Sequence, residues 1–70
     1  MSEFDVSKEY KLQTLTSRLE QLNLEGWHNE EGRNVAEAIG NTEEVDRCNA
    51  NIAIIKNAIV AVQAQIDNLA

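Results

Sequence analysis

The last third of the chain constrains its fold most, because Val45, Cys48, Ile52, Ile55, Ile59, Val62, Ile66 and Leu69 recur there at alternating spacings of three and four. An α-helix turns once every 3.6 residues, so this rhythm gathers all eight side chains into one stripe, the a/d seam of a heptad repeat. It predicts a helix over residues 43–69, roughly 40 Å long at 1.5 Å per residue. Asn41 or Thr42 can cap it. Asn41 with Glu44 has the outline of a capping box, with an amide replacing the usual hydroxyl.

The seam does not use up the apolar residues of this helix. From Ile52 to Val62 nine of eleven positions are apolar, and Ala53, Ile54, Ala58, Val60 and Ala61 lie on flanking positions. Asn49, Lys56 and Gln63 form only a narrow polar line. An apolar arc this broad implies burial against more than one neighbour. The expected oligomer interface is therefore drawn from Ile52, Ile54, Ile55, Ala58, Ile59, Val60, Ala61, Val62 and Ile66. Within it Ile52, Ile55, Ile59 and Val62 satisfy a hairpin seam, while Ile54, Ala58, Val60 and Ala61 call for a second partner. Isoleucine at both a and d favours more than two strands in parallel coiled coils, which supports a bundle of four or more helices.

The first part of the chain carries a shorter stripe, Leu12, Leu15, Leu19 and Leu22. Extended backward it meets Lys8 and forward Gly26, so about two heptads are apolar. Ser2, Asp5 and Ser7 are candidate N-caps, and Glu9 suits the positive end of a helix. This predicts a helix over about residues 7–25.

There is no proline, and the three glycines, Gly26, Gly32 and Gly40, all fall in the middle third. Residues 26–40 read as a joint and a short helix: Asn29 can cap Glu30 to Ile39, Val35, Ala36 and Ile39 form a small buried face, and Gly40 with Asn41 makes a stop. The same residues also fit one long helix from residue 7 to 39, bent at Gly32. The expected fold is an all-α antiparallel hairpin with a bent or broken first arm, one small domain over residues 1–70, assembling into an oligomeric bundle.

Composition points the same way. A single core of this size supplies roughly 3–5 kcal/mol, so small folds recruit staples or partners. Cys48 and His28 are the only residues of their kinds, which excludes an intrachain disulfide and a structural zinc site. Oligomerisation is the remaining route. Net charge is −6, shared equally by residues 1–34 and 35–70, and no basic patch invites duplex nucleic acid. The acids are interspersed with amides and cations, which reads as a solvated surface rather than a nucleic-acid mimic. The charged N-terminal stretch lacks the apolar core of a signal peptide, and the apolar run of the last helix falls short of the about 20 residues that span a bilayer. The expected location is the cytoplasm, that of the host for a phage-encoded chain.

Chemistry-bearing residues are few. Cys48 falls on the seam, where a small buried hydrophobe is the simplest reading, and nothing fixes His28 beside it. Glu30, Glu31, Glu43, Glu44 and Asp46 open helices, where negative side chains are favoured anyway, and Arg47 can pair with Glu43 or Glu44. No phosphate loop, dinucleotide fingerprint, EF-hand or catalytic triad is present, and no metal or cofactor is expected. The segment around Trp27, His28 and Arg33 has two readings. In one, Trp27 plugs the open end of the hairpin and Arg33 pairs with a nearby acid. In the other, Trp27 and Tyr10 offer aromatic faces while Arg33, joined across a subunit boundary by Lys11, Arg18 or Arg47, holds an anionic group. Two functions follow as expectations: a non-enzymatic, homo-oligomeric adaptor, chaperone or inhibitor, as some phage accessory factors are, or a sponge holding an anionic metabolite or signalling nucleotide at subunit interfaces.

Overall fold

A computed structural model describes residues 3–69, and in it two long helices lie antiparallel against each other. The first, α1, runs Lys8–Ala38 and the second, α2, runs Thr42–Leu69. The hairpin is a rod of 51 × 17 × 17 Å with a radius of gyration of 15.9 Å. A compact chain of this length has a radius of about 11 Å, so the elongation is pronounced.

The helix ends form for local reasons. Of the candidate caps, Ser7 starts α1: its extended backbone and hydroxyl let Oγ accept from the Tyr10 N–H at 3.2 Å. Ser2 lies outside the described residues. At the other end Gly40 takes a φ of 72°, the left-handed conformation that glycine adopts without a side-chain clash. The Gly40 N–H then donates to the Glu37 carbonyl at 3.2 Å and the Asn41 N–H to the Ala36 carbonyl at 2.8 Å. Together these make a Schellman stop. Asn41 begins α2 at once, its Oδ1 accepting from the Glu44 N–H at 3.2 Å. The turn between the helices is Ile39, Gly40 and Asn41.

The expected break in the first arm and the separate short helix from Glu30 to Ile39 do not form. Residues 8–38 are one continuous helix. The reason is that the a/d rhythm of α1 does not end at Leu22: Gly26, Asn29, Arg33 and Ala36 continue it at four, three, four and three. These residues are small or polar, yet they keep the same side turned to α2. At Gly26 a side chain would meet Ile55 Cγ2 at 3.6 Å, and at Gly32 it would meet Cys48 Sγ at 3.4 Å. Both glycines are therefore packing sites, where α2 leans against bare α1 backbone. Each costs about 1 kcal/mol of helix propensity relative to alanine, a sum that packing along a long helix overrides.

Asn29 accordingly caps nothing. It sits mid-helix, donating from Nδ2 to the Glu25 carbonyl at 2.9 Å and accepting from Asn51 of α2 at 3.2 Å. The small buried face expected for residues 30–39 reduces to Ala36, which is 2% exposed, while Val35 and Ile39 face outward at 62% and 73%. The buried core is correspondingly thin: Leu15, Ala36, Cys48, Ile55 and Val62.

Candidate interaction surfaces

Two helices that meet along one seam leave most of each helix on the outside, so any function rests on what those outer faces present. On α2 the seam residues behave as the heptad pattern requires. Ile55 and Val62 are buried, and Ile52, Ile59 and Ile66 are half-buried along the line facing α1. Ala58 is half-buried beside them, while Ala61 is exposed. Ile54 and Val60 stand out at 67% and 69% exposure. The expected interface set thus divides into residues engaged within the hairpin and an outer group, Ile54, Val60 and Ala61, that the hairpin leaves uncovered.

The total surface quantifies this. The chain exposes 5452 Å², whereas a compact monomer of 7.8 kDa exposes about 4,400 Å². The excess is roughly 1,000 Å² on that scaling.

The residues considered for an anionic ligand fall at three places. Tyr10 and Lys11 lie at the open end of the hairpin, lining a groove of about 690 Å³ with Phe4, Val6, Leu15 and Leu69. Trp27 and His28 lie seventeen residues further along α1, about 25 Å away. Their rings meet edge to face with centroids 5.2 Å apart, and Trp27 is 54% exposed. Trp27 therefore does not plug the open end. It borders a shallow groove of about 160 Å³, floored by Gly26, Ile52, Ile55 and Ile59 and rimmed by Asn23, Glu30 and Lys56.

Arg33 and Arg47 lie near the turn, and each already has an acid. Arg33 Nε is 3.6 Å from Glu37 Oε1, and its other arm donates to Asn49 Oδ1 of α2 at 3.2 Å. Arg47 pairs with Glu44 one helical turn earlier. That pairing holds the Glu44 carboxyl below the usual carboxylate range and raises the Arg47 guanidinium further. The Glu44 carboxylate also accepts from the Cys48 thiol at 3.7 Å, and the Asn41 N–H is already given to the Ala36 carbonyl, so only one arm of the capping box forms. Burial, with Glu44 beside it, pushes the Cys48 thiol up, away from the thiolate form a nucleophile needs. Across the seam it faces Gly32, while His28 is exposed with its ring edge to face against Trp27.

Among the described residues no group of three or more His, Cys, Asp or Glu side chains is placed to hold a metal ion, and no helix is long and apolar enough to cross a membrane. The open-end groove is the feature that sequence reasoning missed. Phe4 and Val6 carry the only signal, as apolar residues before the first cap, but their meeting with Leu69 depends on the hairpin register. Comparison with protein-family models, curated proteins and solved structures finds no match to this chain.

Proposed function

We propose that this chain is a non-enzymatic, homo-oligomeric helical interaction protein, an adaptor, chaperone or inhibitor of the kind found among phage accessory factors. It works by presenting helical surface. The observation that carries this reading is the surface excess of roughly 1,000 Å² over a compact monomer, together with two β-branched residues, Ile54 and Val60, about two-thirds exposed on a thin-cored rod. Solvating such residues forfeits the burial that a chain of this size needs for stability.

Native mass spectrometry of the freshly purified protein tests it. The expected spectrum shows a defined oligomer at micromolar concentration. A stable monomer without partner or ligand sinks the self-assembly part.

A second reading, sequestration of a small anionic metabolite or signalling nucleotide at subunit interfaces, is supported by Tyr10 and Lys11 sharing the open-end groove. The Tyr10 ring can stack on a base while the Lys11 ammonium pairs with a phosphate or carboxylate. The same spectrum reads it, because a sequestered molecule appears as extra mass on the oligomer and is released on denaturation.

A further inference from the structure

Resting on the assembly reading above, we infer that a second copy of this chain docks antiparallel on the outer face of α2, about a twofold axis passing beside Asn57. The seam occupies one side of α2. At 100° per residue the opposite side carries Ala50, Ala53, Ile54, Asn57, Val60, Ala61 and Ala64, all exposed.

Outward from Asn57 this face is the same in both directions. A β-branched residue lies three positions away on either side, Ile54 and Val60. Alanine lies four away, Ala53 and Ala61, and again seven away, Ala50 and Ala64. An isologous contact uses one patch twice, so that residue i meets j and j meets i, and a patch that reads alike from both ends meets that condition in the antiparallel sense. In this register Ile54 of one copy comes beside Ala61 of the second, and Val60 beside Ala53, a large residue against a small one each time. The twofold axis repeats both contacts. The alanines allow close approach of the backbones, and residues 45–69 of the two copies overlap, about 37 Å of helix.

Charge favours a second copy as the occupant. In a chain of net charge −6, residues 48–66 carry a single charged side chain, Lys56, which belongs to the polar line and not to this face. Two like-charged molecules can therefore meet here without burying a carboxylate. An antiparallel arrangement also keeps the acidic first turns, with Glu43 and Glu44, at opposite ends of the pair, where a parallel one would bring them together. At each end Asp46 comes nearest Asp67 of the second copy, but both lie outside the stretch from Cys48 to Ile66 and are exposed, so the carboxylates stay in water.

Disulfide trapping tests the geometry. In a C48A background whose helicity matches wild type by circular dichroism, N57C is expected to form a covalent dimer under mild oxidation, whereas E20C on the outside of α1 is not. A50C alone and A64C alone should stay unlinked, and their equimolar mixture should link. If native mass spectrometry shows an oligomer while N57C stays unlinked, or A50C links to itself, the antiparallel α2 contact is wrong and the assembly reading stands. A monomeric wild type removes both. I54E, at an exposed position where the hairpin itself tolerates charge, supplies a check that needs no cysteine. It should shift the native spectrum to a smaller species, and an unchanged oligomer would overturn the inference.

Discussion

Glu44 shows how much one side chain can be asked to do at the start of a helix. Its backbone N–H is taken by Asn41, and its carboxylate faces Arg47 and Cys48 together. The Arg47 hydrogen bond holds the carboxyl pKa down, against a smaller opposing push from partial burial. A carboxyl whose folded pKa lies below its unfolded value contributes stability that is present above the unfolded value and lost as pH falls through the folded one. Wild type should accordingly lose melting temperature on acidification below the ordinary carboxylate range more steeply than E44Q does, and circular dichroism melts across that range will read the difference. Equal slopes for the two proteins would show that the pair contributes nothing, as many exposed ion pairs do.

Along the helices and the turn that joins them, the three glycines separate two uses of the same residue. Gly26 is mid-helix and a side chain there would make an ordinary contact with Ile55 at 3.6 Å. G26A should therefore raise stability by about 0.5–1 kcal/mol through helix propensity. G32A should gain less, because Cys48 Sγ at 3.4 Å must give way slightly. Gly40 has open space around it but a φ of 72°, so G40A should cost about 1–2 kcal/mol. Urea unfolding of the three variants checks the order. The same contrast explains what was legible. The α2 seam could be read outright because every a/d residue from Val45 to Leu69 is apolar. The α1 seam could be followed only to Leu22, because Gly26, Asn29 and Arg33 occupy half-buried seam positions without looking like core, and Ala36 was legible only as part of a separate short helix. Their place is decided by the isoleucines opposite, which supply the apolar contact, and by Asn51 and Asn49, which answer Asn29 and Arg33. That is tertiary information, absent from the local pattern. For the same reason the open-end groove, built from Phe4 and Val6 against Leu69, escaped local reading.

For the molecule as a whole, the seam is uneven along the rod. Leucines line α1 toward the open end, while glycine, asparagine, arginine and alanine line it toward the turn. This sets a conflict during folding. The contacts nearest in sequence, beside Gly40, close the shortest loop and cost least entropy, but they bury little. The leucines of α1 lie toward the open end, and their contacts with α2 close the longest loop. The hairpin should thus zip from the turn, with the leucine end joining after the barrier. In stopped-flow chevrons G40A is expected to slow folding, whereas L15A should mainly speed unfolding. The reverse assignment would mean that the ends collapse first and the turn is threaded afterwards. A rod that zips this way also frays from its leucine end, which ties the lifetime of the open-end groove to the last step of folding.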